Sequence, residues 1–184
     1  MNNTKEMLIQ NYQSGWTHDF NSIKRVIKEA LRDTEITIEH VGSTAVKDLA
    51  AKPIIDIDIV YGKNVSFDTI ETGLEKLGYY HTGDQGIKER EAFKRKKTHT
   101  KHTILDCITH HLYVCPVHSR ELQRHILFRD YLIKNTNERE AYQKIKLEIA
   151  KKANQDRKVY AKLKETMAKE FIESVLKKAR KEKA

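Results

Sequence analysis

Asp56 and Asp58 stand two residues apart inside KPIIDIDIVYG, each flanked by isoleucines. An ionised carboxylate is costly to take out of water unless something compensates it. In a β-strand, residues two apart project from one face, roughly 7 Å apart at Cα. Carboxylates held that close repel each other unless a cation lies between them. Their hard oxygens suit Mg²⁺ or Mn²⁺, which bind through one or two carboxylates and complete their shell with water and substrate phosphates. The same spacing also fits a two-faced strand with both aspartates in solvent. Repulsion within the pair predicts that Asp56→Asn or Asp58→Asn leaves stability unchanged or slightly raised.

Upstream, EITIEHV runs into Gly42-Ser43 and then TAVKDL, read as a short helix. Glycine lets backbone approach a ligand closely. The N–H groups that open a helix, with the Ser43 hydroxyl, make a phosphate cradle; an ordinary turn is the other reading. Two further sources of positive charge are Lys52, just before the aspartate strand, and the segment IKEREAFKRKKTHTKH at 87–102. Read as a strand, that segment puts Lys88, Arg90, Lys94 and Lys96 on one face and Phe93, Arg95 and Lys97 on the other. One set would neutralise phosphates in a cleft, or the lysines would guard an exposed edge. His99, His102 and His110 follow no zinc-ligand spacing.

The order Gly42-Ser43, twelve residues, Asp56-Ile57-Asp58 resembles the signature of polymerase-beta-like nucleotidyltransferases. IEHVGSTAV, AKPIIDIDIV, HHLYV and LFRDYL together resemble the GrpB family, usually placed in that superfamily. The resemblance implies that Gly42 and Ser43 hold a nucleoside triphosphate and that Asp56 and Asp58 coordinate Mg²⁺. It implies transfer of a nucleoside monophosphate to an unknown acceptor. Active members of the superfamily commonly carry a third carboxylate on a later strand, to help deprotonate the acceptor hydroxyl. Here HHLYV offers His111 and no acid. Asp106, on the same strand by this reading, falls opposite His111 unless a bulge intervenes. Either His111 serves as base, with transfer falling more in His111→Ala than in Asp106→Ala, or the fold binds a nucleotide or other phosphorylated ligand without turnover. Arg90 matches a family position. His40 beside the glycine, and Arg129 in LFRDYL, have both a site reading and a structural one.

The elements that must position these residues follow from periodicity. Residues 18–32 read as a helix capped by Asp19, with EITIEHV a strand and KPIIDIDIVYG a second that starts at Pro53. SFDTIETGLEKLGY is a helix ending at Gly78. YYHTG, EAFKRKK and TILDCITHHLYVCP read as short strands. Three helices follow, SRELQRHILFRDYLIKN, EREAYQKIKLEIAKKA and a long one from Asp156 to Lys183. The class is α/β or α+β: a small mixed sheet of the nucleotidyltransferase type at 1–118, with flanking helices, and a helical region at 119–184 packed on it.

Composition narrows the partners. The chain has 184 residues, enough for one domain, and no apolar run long enough to span a membrane. The N-terminus is polar and lacks the apolar core of a signal peptide. Cys107 and Cys115 read as buried thiols of a reducing cytoplasm. Of the net charge of +9, residues 139–184 contribute 15 basic against 7 acidic side chains. Glutamates mixed into that tail, and an apolar stripe through Val159, Leu163, Met167, Phe171 and Val175, favour packing on the sheet over a nucleic-acid arm.

Overall fold

The computed structural model describes residues 7–96 and 101–183. Five strands, β1 (Ile36–Val41), β2 (Ile55–Tyr61), β3 (Tyr79–His81), β4 (Glu91–Arg95) and β5 (His110–Pro116), form one sheet in the order β1-β2-β5-β4-β3. The β2–β5 pair is parallel and the other pairs are antiparallel, so the sheet is mixed and the class α+β. Helix α1 (Gly15–Ala30), α2 (Phe67–Lys76) and the short α3 (Thr103–Cys107) accompany it, and α4 (Arg120–Lys134), α5 (Thr136–Lys152), α6 (Arg157–Met167) and α7 (Lys169–Lys183) follow.

The alternation along β2 sorts its residues. Ile55, Ile57 and Ile59 are all but inaccessible, in a core with Ile23 and Ile27 of α1, Ile70 and Leu74 of α2, and Leu112 and Val114 of β5. Asp56 and Asp58 therefore emerge on the opposite face. Helix α4 lies across that face, and its helical spacing shows in what it delivers. Leu122 joins Val60 and Cys115 in a small apolar cluster. One turn on, His125 meets Asp58, and one turn further Arg129 meets Glu39 of β1.

A second core joins the C-terminal helices to the N-terminal stretch and the segment before β2: Leu8 and Ile9, with Val46, Leu49 and Ala50, pack with Leu132, Tyr142, Ile149, Tyr160 and Ala168. Polar contacts fix the same seam, Gln143 Oε1 accepting from the Ala50 N–H at 2.7 Å and the buried Lys146 Nζ donating to the Ala50 carbonyl. Leu163, Met167 and Phe171 pack here and Val175 is buried, but Val159 is 45 % exposed and Tyr160 takes the inward position beside it.

Several elements differ from the sequence reading. TILDCITHHLYVCP is not one strand: His102 accepts from the Leu105 N–H and caps α3, and the strand begins only at His110. Cys107 is exposed on that helix, while Cys115 is buried. Pro53 lies in a bend ahead of β2 rather than at its first residue. Ser14, not Asp19, occupies the α1 cap position. TAVKDL gives only a 3₁₀ turn at Ser43–Ala45. The last helix breaks at Ala168, the C-cap of α6, into α6 and α7. Lys97 and His99 lie outside the described residues.

Candidate functional site

Register brings the site together. Asp56 pairs with Val41 on one side and His111 on the other, and Asp58 with Glu39 and Tyr113. Residues paired across neighbouring strands share a face, so the aspartates, His111 and Tyr113 form one polar strip. Gly42 follows β1 directly, with φ +72 and ψ −169, a region open in practice only to glycine. A Cβ there would fall 2.3 Å from Asp56 Oδ2. Glycine is thus required twice, by its backbone and by the carboxylate packed against it.

The two aspartates are not equivalent. Asp58 is fully buried; its Oδ2 accepts from His125 Nδ1 at 2.7 Å, while its Oδ1 is buried with no hydrogen-bond partner among the described residues. His125 also reaches Glu121 one helical turn earlier, at 3.3 Å. Burial alone would lower the His125 pKa, but its hydrogen bonds to Asp58 and Glu121 outweigh that and hold the imidazolium up to about 9. Asp56 is partly exposed and its Oδ1 accepts from His111 Nδ1 at 2.8 Å. With Nδ1–H spent on a carboxylate, the neutral His111 ring keeps its free lone pair on Nε2.

A cavity of about 740 Å³ opens in front of this strip, walled by Gly42, Ser43, Asp56, His111 and Tyr113 on the sheet side. Lys52 enters from the segment before β2 and Arg90 from the turn before β4. Lys52 sits 4.2 Å above the Tyr160 ring, its pKa lowered by burial and then by Lys164 and Arg157. Arg90 lies 4.4 Å over the Tyr113 ring with its Nε buried and unpartnered among the described residues. The far wall comes from the C-terminal helices and includes Lys146, Lys164 and Lys169. Tyr142, with Tyr160 and Asp56, holds Lys164 in its ammonium form against burial. Burial, and then Lys164, push the Lys146 pKa well down, so the positive charge facing this space comes from Lys52, Arg90, Lys164 and Lys169. Of the two aspartates Asp56 walls it, while Asp58 lies buried behind and does not.

Other residues singled out from their sequence context fall elsewhere. Asp106 lies on α3, not on a strand; it pairs with Arg95 at 2.7 Å and does not wall this cavity, so the parity argument and the bulge both lapse. His40 stacks on Phe20 at 4.6 Å and its Nε2 bonds the Thr44 hydroxyl at 3.0 Å. Burial, against the opposing pull of Asp56, lowers its pKa to about 4 and makes it a neutral structural group. Arg129 donates to Glu39, Asp130 and the His40 carbonyl, bracing the turn into Gly42. His102 caps α3 and His110 bonds Tyr79 and the Ile108 carbonyl, so they share no centre. Arg90 precedes β4 rather than alternating within it, so the two-set reading holds only inside the strand, where Phe93 and Arg95 face one way and Lys94 the other. Sequence reasoning missed His125, Glu121 and the α6 lysine. The Glu121–His125 spacing of one helical turn, one turn ahead of Arg129, was the available signal.

The mixed sheet, with carboxylates on one strand and the Gly-Ser turn beside them, defines a fold that resembles nucleotidyltransferases. It superposes on a solved structure of the Cid1 poly(U) polymerase with a TM-score of 0.55 at 11% identity, over 80% of this chain and 45% of that one. A family model described as GrpB protein matches residues 6–178, and the chain belongs to the GrpB family. It is 30% identical to the glutamate-rich protein GrpB of Alkalihalophilus pseudofirmus across 95% of this chain and 96% of that protein. Identity is also 30% to UPF0157 protein YqkA of Bacillus subtilis, across 76% of this chain but only 38% of YqkA. The crystal structure of conserved protein GrpB from Enterococcus faecalis aligns with a TM-score of 0.74 at 27% identity, over 92% of this chain and 98% of that one. Among the described residues no helix is long and apolar enough to cross a membrane.

Proposed function

We propose that the cavity binds a nucleoside triphosphate with Mg²⁺ or Mn²⁺ and transfers its nucleoside monophosphate to an acceptor hydroxyl. The observation that carries this reading is the buried, unpartnered Oδ1 of Asp58 on the same strand face as Asp56. A buried carboxylate oxygen with no donor is costly, and a divalent cation held by both aspartates would satisfy it. Among the described residues no group of three His, Cys, Asp or Glu is set to hold an ion alone. That fits a cation whose shell is completed by substrate phosphates. When bound, such an ion supplies Lewis-acid stabilisation of charge on the phosphates.

The chain's own groups would do the rest. Gly42 permits close approach of the phosphates, and Ser43 offers its hydroxyl. Lys52, Arg90 and Lys164 neutralise charge that grows on the departing pyrophosphate. His111, oriented by Asp56 through Nδ1, accepts the acceptor's proton at Nε2, with Asp56 as the orienting partner of the base. The acceptor oxygen then bonds to the α-phosphorus as the bond to the pyrophosphate oxygen breaks. Cid1, whose fold this chain resembles, was solved bound to MgATP, in keeping with this reading.

A second reading has its own observation. The β5 residues beside Asp56 and Asp58 are His111 and Tyr113, so β5 supplies no third carboxylate to the pair. A site that binds without turnover follows if His111 is no effective base. General-base help is typically worth about 10²–10⁴-fold. Labelled nucleoside triphosphate, Mg²⁺ and a pool of cell metabolites separate the two readings. Transfer with pyrophosphate release, lowered about 10²-fold or more in His111→Ala and unchanged in Asp106→Ala, supports the transferase. Nucleotide binding with no transfer leaves the binding module.

A further inference from the structure

His111 and Tyr113 wall a second space as well as the first. Past the Phe93–Leu112 pairing, β4 and β5 separate, and a groove of about 440 Å³ opens between them. Register identifies its floor. Ala92 pairs with Tyr113, so both face the aspartate side of the sheet; Lys94, two residues on, shares that face, and Tyr80 pairs with Lys94 across to β3. A strip therefore runs from Asp56 through His111 and Tyr113, over the small Ala92, to Lys94 and Tyr80. The helices that close the first cavity do not line this groove.

The geometry points to this groove as the binding site of the acceptor, a small hydroxylated anion; the inference rests on the transferase reading above. Its position is the first reason. An acceptor hydroxyl must reach the nucleotide beside His111, and His111 is where the two spaces meet. Its chemistry is the second. Tyr80, Gln85, Thr109 and Tyr113 offer hydrogen-bonding groups suited to hydroxyls. Arg95 is committed to Asp106, whereas Lys94 is exposed and has no carboxylate partner among the described residues. A groove of this size holds a metabolite rather than a macromolecule, and the free ammonium selects one with a negative group.

The test uses the full chain saturated with Mg²⁺ and a non-hydrolysable ATP analogue, so that the first cavity is filled. Glycerol 3-phosphate, glycerate and glycerol are then titrated by calorimetry; the first two separate a phosphate from a carboxylate source of the charge. The expected result is that at least one anion binds tenfold or more tightly than glycerol. Lys94→Glu, a surface change, should weaken that anion tenfold or more and leave the Mg²⁺–nucleotide affinity within twofold. If neither anion exceeds glycerol, or Lys94→Glu leaves the anion unmoved, the groove assignment is overturned while the nucleotide site stands. If the wild type does not bind the Mg²⁺–nucleotide at all, the transferase reading falls and this inference with it.

Discussion

Like-charge repulsion alone would make Asp56 and Asp58 equivalent, but their surroundings separate them. Asp58 is buried beneath α4 against an imidazolium, so Asp58→Asn takes from His125 the nearer of its two carboxylate partners rather than relieving repulsion. Removing one partner of a buried pair typically costs about 3–5 kcal/mol, and urea denaturation should show a loss of that order. Asp56 meets a half-exposed His111, where such a pair contributes about 1 kcal/mol or less; Asp56→Asn should be nearly neutral. Equal effects of the two substitutions would remove the distinction. Gly42→Ala should be worse than Asp56→Asn, since the new methyl meets Asp56 Oδ2 on a backbone alanine rarely adopts. We expect a drop of several kcal/mol, more than the roughly 1 kcal/mol of a simple left-handed strain, together with lost nucleotide affinity. Native-like stability in Gly42→Ala would show that the turn gives way.

The turn that presents Gly42 and Ser43 is fastened by neighbouring elements, and this gives a pH signature. The Thr44 hydroxyl donates to the Ile54 carbonyl, so it must accept from His40 Nε2–H, which ties β1 to the approach of β2. Because the folded pKa of His40 is depressed, to about 4 from an ordinary 6.5, its contribution is present above pH 6.5 and is lost as pH falls towards 4. The shift corresponds to no more than about 3 kcal/mol, less after solvent screening. Wild type should lose stability over that window more steeply than His40→Gln; parallel profiles would dismiss the role. At this scale the sequence was legible where a local rule decides. The isoleucine–aspartate alternation set both faces of β2, and Gly78 closed α2 as punctuation predicts. It was not legible where tertiary contacts decide. His102 capping α3 turned an apparent strand into helix and took Asp106 to Arg95. The single long C-terminal pattern bent at Ala168, which is completely buried in the second core.

Across the whole molecule, the excess of positive charge in the C-terminal helices has a place to act. Lys164 and Lys169 turn towards the same cavity as Asp56, while Gln143 and Lys146, the latter buried with its pKa pushed well down, hold the Ala50 backbone just before β2. Helical packing and the basic wall of the cavity therefore come from one set of helices, which composition alone could not reveal. The apolar stripe announced the packing, but only the fold shows which lysines face inward. The measurement closest to the central claim is calorimetric titration of the full chain with a non-hydrolysable nucleoside triphosphate, with and without Mg²⁺. Wild type should bind the nucleotide at least tenfold more tightly with Mg²⁺. Asp56→Asn, which should remain folded, should lose that metal dependence. Nucleotide affinity that is indifferent to Mg²⁺ in wild type, or metal-dependent binding that survives unchanged in Asp56→Asn, would contradict a metal–nucleotide site at the aspartate pair.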